Sequence, residues 1–174
     1  MGRSGGIETS RPVEDGEATA VDEEAFKAVF RRHTSSVAVV AGVVASVPFG
    51  FTATSVTSVS ARPAHFTFSV AAAASVAPAV GACRTVSVSL LAHDQVEVAR
   101  RCATRGVDRF AEGDWATLGG DPVVAGAVAW LHGAVVHRID VASSTLVVAR
   151  VLEQRVVRDV AGLVHVNRSY HPSP

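Results

Sequence analysis

Gly50-Phe51-Thr52-Ala53-Thr54-Ser55-Val56-Thr57-Ser58-Val59-Ser60 carries short hydroxyls at six of its eleven positions. Phe51, Ala53, Val56 and Val59 nevertheless keep it apolar enough to be partly buried. Small hydroxyls donate hydrogen bonds without filling space, and extended backbone offers further N–H donors. Such a wall suits a pocket for a flat heteroaromatic ring and a phosphate, built without a metal or a glycine-rich loop. The same composition also suits a Thr/Ser-rich edge strand with one wet face. The stretch alone leaves both readings open.

Working outward, Val37–Ala45 reads as a buried strand, and Val47-Pro48-Phe49-Gly50 as a tight turn into the hydroxyl run. Arg62-Pro63 ends the run, and His65–Val70 reads as a third strand. Upstream, Asp22 is placed to cap a helix with Glu23 and Glu24 in its first turn. Its buried stripe would be Ala25, Phe26, Val29 and Phe30. Residues 1–20 lack an apolar period and read as a disordered tail, leaving one domain over 21–174. Downstream, Ser75 is placed to cap a short helix, Thr85–Leu91 reads as a strand, and Asp94 is placed to cap a helix presenting Val98, Ala99 and Cys102 inward. A loop is expected from Thr104 to Pro122, long enough to be a functional or interface loop. Two long strands, Ala127–Val141 and Thr145–Val157, and a short one, Leu163–Val166, complete the reading. Many strands with few helical crossovers predict a mainly β protein, an antiparallel closed or nearly closed barrel.

The 174 residues are 48% hydrophobic but only 6% aromatic, with Val and Ala dominant, which favours a sheet-built interior. Lys+Arg and Asp+Glu are both 16, so there is no basic excess for nucleic acid. Cys83 and Cys102 form neither a disulfide framework nor a Cys-x-x-Cys pair, as suits a reducing cytoplasm. No signal peptide is evident, and the longest apolar run falls short of a bilayer span, so a soluble cytoplasmic protein is expected.

Rossmann, P-loop and serine-elbow motifs are absent. The seven histidines show no metal-ligand spacing, with His132 and His137 expected on opposite strand faces. Asp108 and Glu112 read as solvated loop charges. With no nucleophile or acid–base pair in view, any catalysis would fall to a bound organic cofactor.

Gly50 to Ser55, Ser58-Val59-Ser60-Ala61-Arg62-Pro63, Val86 to Leu91, Gln95 to Ala103, Asp108-Arg109-Phe110 and Gly119-Gly120-Asp121-Pro122-Val123 occur in a telling order. With the closing Leu163 to Tyr170, they make the chain resemble the short flavin reductases of two-component flavin-dependent monooxygenases. The resemblance implies a homodimer of antiparallel Greek-key split β-barrels. It also implies reduction of free FMN or FAD by NADH or NADPH, the reduced flavin passing to a monooxygenase partner. Carried over residue by residue, Pro48, Phe49, Gly50, Phe51, Thr52, Thr54 and Ser55 would line the isoalloxazine and ribityl chain. Ser69, Val70, Ala71, Ala74 and Ser75 would meet the ribityl chain and phosphate, with Arg101 beside the phosphates and Cys102 next to it. Asn167, Arg168 and Tyr170, with His165 and Val166 nearby, would form the nicotinamide side. No catalytic side chain and no metal is implied.

The chain departs from the family at several points. Ser89 stands where Asn is usual, Cys102 where Phe is common, and Ala64 where a second proline is usual. Ala142-Ser143-Ser144 replaces Gly-Asp-His, removing a histidine expected near the nicotinamide. That loss is compatible with an alternative, a non-enzymatic barrel that carries flavin or haem.

Overall fold

The structure, a computed structural model, describes residues 21–174; the expected tail over residues 1–20 lies outside the described residues. Twelve strands and three short helices follow one another among the described residues. Helix α1 (Glu23–Arg31) starts at Asp22, whose carboxylate accepts from the Ala25 N–H at 3.0 Å. Strand β1 (Ser35–Ser36) precedes the hairpin of β2 (Ala38–Val44) and β3 (Val47–Ala53). This hairpin turns at Ala45-Ser46, both at positive φ (49° and 66°), the geometry a two-residue hairpin loop requires. The turn expected at Val47–Gly50 is therefore strand instead. Pro48 is tolerated because β3 is an edge strand of its sheet.

The hydroxyl run covers the end of β3, a three-residue link, and β4 (Thr57–Ala61), which pairs with β5 (Ala64–Ala71). Helix α2 (Ala77–Ala82), β6 (Thr85–Leu90) and helix α3 (Val96–Ala103) follow. The expected Thr104–Pro122 loop is only partly a loop: β7 (Trp115–Leu118) and β8 (Asp121–Val124) make a hairpin around Gly119-Gly120. The long strands β9 (Ala129–Val141) and β10 (Ser144–Val156) pair along their length, and β11 (Leu163–Val166) turns into β12 (Ser169–Pro172).

All pairings are antiparallel, and the main sheet runs β3-β2-β6-β9-β10-β5-β4. This is the antiparallel split-barrel architecture, left open where β3 and β4 form its two edges. Strand β2 explains the unbroken apolar run Val37–Ala41. Ala38 and Val40 face one core with Phe66, Phe68, Val86 and Val147, while Val37, Val39 and Ala41 face another with Leu91, Val123, Trp130 and Leu163. A strand buried on both faces has no polar alternation to show.

Two caps and one stripe differ from expectation. Helix α2 starts after Val76, with no side-chain cap, so Ser75 does not cap it. Helix α3 starts after Gln95, and Asp94 instead pairs with Arg158 at 2.9 Å, which holds its carboxyl below the usual range. The apolar face of α1 is not buried: Phe26, Val29 and Phe30 are 55%, 67% and 58% exposed. No described helix is long and apolar enough to cross a membrane.

Candidate functional site

Where the sheet opens, β3, β5 and α3 wall a cavity of about 370 Å³. Residues of three chain segments meet there. The first supplies Phe51, Thr52, Ala53, Thr54 and Ser55; the second Ser69, Val70, Ala71, Ala74, Ser75 and Val76. The third runs from the end of α3 into the loop after it, bringing Cys102, Ala103, Arg105 and Arg109. Helix α3 is held against β3 by the Thr52 hydroxyl, which donates to the Ala99 carbonyl at 2.6 Å. Ala99 and Cys102 are buried beneath it.

Two walls of the cavity are joined directly. The Ser55 hydroxyl accepts from the Ser69 N–H at 3.0 Å and donates to the Ser69 carbonyl at 3.4 Å. Thr52 and Ser55 are thus committed to structure, while Thr54, Ser69 and Ser75 keep hydroxyls with no partner among the described residues. Thr54→Val is therefore the clean probe of ligand contact. It should raise the flavin dissociation constant about three- to ten-fold with an unchanged melting temperature. Ser55→Ala should instead lower stability, by about 1 kcal/mol in chemical denaturation.

The expected site residues do not all converge. Phe51, Thr52, Thr54, Ser55, Ser69, Val70, Ala71, Ala74, Ser75 and Cys102 line the cavity. Pro48, Phe49 and Gly50 do not: they lie earlier along β3, with Phe49 in the core against Gly42 and Gly50 beneath the Phe110 ring. Arg101 also stands outside. Its guanidinium donates to the Glu112 carbonyl at 2.6 Å and pairs with the Glu112 carboxylate at 3.0 Å. Glu112 is a solvated charge, as expected, that also serves as the ion-pair partner of Arg101. Asp108 likewise is engaged, accepting from the Phe110 N–H at 2.9 Å.

The cations that do line the cavity are Arg105 and Arg109, which sequence reasoning passed over as loop residues. Arg105 donates to the Ala73 carbonyl at 3.1 Å and Arg109 to the Thr104 carbonyl at 3.0 Å. The Arg109 Nε is buried with no partner. No carboxylate or histidine lines this cavity, so its field favours an anion. The Cys102 thiol is pushed up to about 11 by burial, against the pull of Arg109 and Arg101, and is a neutral, unreactive wall at physiological pH.

On the far side of Thr54, His165 and Arg168 line a separate cavity with α1. Val166, Asn167 and Tyr170 do not line it, and the Tyr170 ring packs on His165 with centroids 5.1 Å apart. Among the family departures, Ser89 lies away from the cavity and accepts from the Val124 N–H at 2.9 Å. The Ala142-Ser143-Ser144 turn adjoins the cavity's Ala71 end, where Ser144 pairs with Ala71 and the Ser143 carbonyl accepts from the Ala72 N–H. His132 is buried and His137 exposed, and no group of metal-ligating residues occurs among the described residues.

The pocket fits a phosphorylated flat ring. It has the volume of a small-ligand site, walls of alanine, unengaged hydroxyls, and a guanidinium nitrogen awaiting an acceptor. When bound, a flavin supplies the two-electron chemistry that no side chain here provides.

Comparisons with known proteins agree with this geometry. The flavin reductase like domain family model matches residues 30–174. An NADH:FMN oxidoreductase of Rhodococcus qingshengii is 35% identical over 156 residues, covering 86% of this chain and 81% of the relative. The Streptomyces globisporus NADH:FAD oxidoreductase solved with NAD and FAD fragments superposes with a TM-score of 0.81 at 30% identity, covering 86% and 92% of the two chains. The flavin reductase component of a bacterial two-component tryptophan halogenase does so with a TM-score of 0.81 at 28% identity, covering 88% and 99%. The chain belongs to the flavin reductase like domain family.

Proposed function

We propose that this protein is an NAD(P)H:flavin oxidoreductase that reduces free FMN or FAD and hands it to a flavin-dependent monooxygenase, with residues 21–174 as its working domain. The observation that carries the reading is the open cavity beside β3, anion-favouring and hydroxyl-lined yet without an acid–base pair. Thr54, Ser69 and Ser75 are placed to orient a ligand, and Arg105 and Arg109 to hold its phosphate by charge-assisted bonds. The chain's share in the reaction is binding and alignment, so turnover needs no titrating side chain.

Steady-state oxidation of NADH and NADPH with added FMN or FAD tests the reading. Rapid turnover with at least one of the four pairs is expected, and the fastest pair names the substrate and donor. Tight flavin binding without oxidation of either nucleotide would leave a carrier, not a reductase.

The working unit is a homodimer on this reading, and apolar surface left open by one chain supports it. Val59 of β4, Ile139 of β9, and Leu152 and Val156 of β10 are 57%, 49%, 49% and 80% exposed. Beside β4, Val56, Phe66, Leu131 and Val151 line an apolar cavity of about 450 Å³. Sedimentation at micromolar concentration should give twice the chain mass of 18.0 kDa. Cys83 and Cys102, both free and buried, are in keeping with a cytoplasmic setting.

A further inference from the structure

Gly50 stands in the middle of β3 with no positive φ to require it. A glycine inside a strand gives up packing and entropy, and often marks a close approach by another segment. Here the approach is made by Phe110, from the loop after α3. A Cβ at residue 50 would meet the Phe110 Cζ at 3.3 Å and the Ala41 Cβ at 3.5 Å. The ring therefore lies where a side chain of β3 would stand. Trp115 of β7 packs against the same ring, with centroids 4.6 Å apart and planes tilted by 49°.

This seat matters because of the residue before it. Across residues 103–114, only Arg109 and Phe110 are not exposed. Arg109 lines the β3 cavity with its Nε buried and unpartnered, whereas Phe110 does not line the cavity. The Asp108 carboxylate accepts from the Phe110 N–H at 2.9 Å, which closes a tight turn around Arg109. Farther on, Arg101 holds Glu112, but that carboxylate is 77% exposed, and an ion pair so open to water adds little. Val107 and Ala111 are exposed and anchor nothing. The loop is thus fastened to the barrel mainly through one ring.

We propose that Phe110 is a positioning residue: seated in the space that Gly50 leaves, it holds the adjoining Arg109 guanidinium at the cavity wall. It thereby sets the affinity for the flavin's phosphate and not for its ring system. The inference rests on the reductase reading, under which the cavity takes a phosphorylated flavin.

The test is a cycle of dissociation constants, read by quenching of flavin fluorescence without turnover. The probes are FMN and riboflavin, which differ only in the phosphate, against wild type, Phe110→Ala, Arg109→Ala and the double variant. Wild type should prefer FMN by at least about ten-fold, the share of a charge-assisted contact. Phe110→Ala should cut that preference about ten-fold, with riboflavin affinity held within about three-fold. In the Arg109→Ala background the same change should cost less than about two-fold, because no guanidinium is left to place. Phe110→Leu, which still fills part of the gap beside Gly50, should keep much of the preference.

Riboflavin affinity in the wild-type range certifies that a variant is folded with its cavity intact. A folded Phe110→Ala protein that keeps its FMN preference, or a double variant whose losses multiply, overturns the inference. Should Phe110→Ala not fold, Gly50→Ala decides, since it keeps the ring but crowds it; an unchanged FMN preference there refutes the positioning. If wild type binds FMN and riboflavin alike, the positioning falls and the reductase reading stands on its turnover assay. If it binds neither flavin, both fall together.

Discussion

Arg109→Ala should weaken FMN binding about 10- to 100-fold, while Arg101→Ala should weaken it less than about three-fold. The difference comes from what each guanidinium already holds. Arg101 spends its donors on the Glu112 carbonyl and carboxylate, whereas Arg109 lines the cavity with a buried Nε that has no acceptor. A phosphate would satisfy that nitrogen, and an ionised partner makes the bond stronger than a neutral one. Arg105→Ala should fall between the two: like Arg109 it lines the cavity with one nitrogen on a backbone carbonyl, but it has no buried unpartnered nitrogen. Quenching of flavin fluorescence on titration gives the three constants. Equal losses for Arg101→Ala and Arg109→Ala would place the phosphate elsewhere.

The second large effect is on stability. Asp121→Ala should cost about 1–3 kcal/mol in chemical denaturation, and Asp121→Asn less than about 1 kcal/mol. Asp121 is buried; one carboxylate oxygen accepts from the Val43 N–H at 3.1 Å and the other lies 3.2 Å from His132 Nε2. Alanine strands the Val43 N–H in the interior, whereas asparagine keeps an acceptor for it; Oδ2 and His132 Nε2 face each other without making a hydrogen bond. The turn above leaves no room to adjust. Gly119 has φ +59°, and a Cβ there would run into the His132 ring. A loss below about 1 kcal/mol for the alanine variant would mean that water replaces the carboxylate.

The strands were legible where periodicity spoke plainly. Residues 38–44, 64–71, 85–90 and the long pair β9 and β10 were read within a few residues of their bounds. The two-residue β1 is too short for any period to register, and β12, Ser169–Pro172, lacks the apolar residues that mark the equally short β11. The β7–β8 hairpin did leave a sign, since Gly119-Gly120 between apolar runs is hairpin chemistry, but it lay inside the stretch read as one loop. Helix α1 was found by its cap and charges. Its stripe was misplaced because amphipathicity says which face is apolar and not what covers it.

At the site, the β3 and β5 walls were readable because small hydroxyl residues cluster in sequence. The cations were not. Arg101, Arg105 and Arg109 are alike in a one-dimensional reading, and their roles depend on Glu112 folding back eleven residues later to claim the first of them. Ser89 shows the same limit: it stands where the family usually has Asn, and only the fold shows that its hydroxyl supports β8.

The paired bonds between Ser55 and Ser69 bear on how fast a visitor can come and go. They clamp the two jaws of the opening at a set gauge before anything enters. Little ordering entropy is then charged on arrival, and departure need not wait for the scaffold to loosen. A shuttle that must surrender its cargo every cycle gains from such a stiff, always-open berth. Ser55→Ala should therefore slow capture in stopped-flow mixing more than it slows escape.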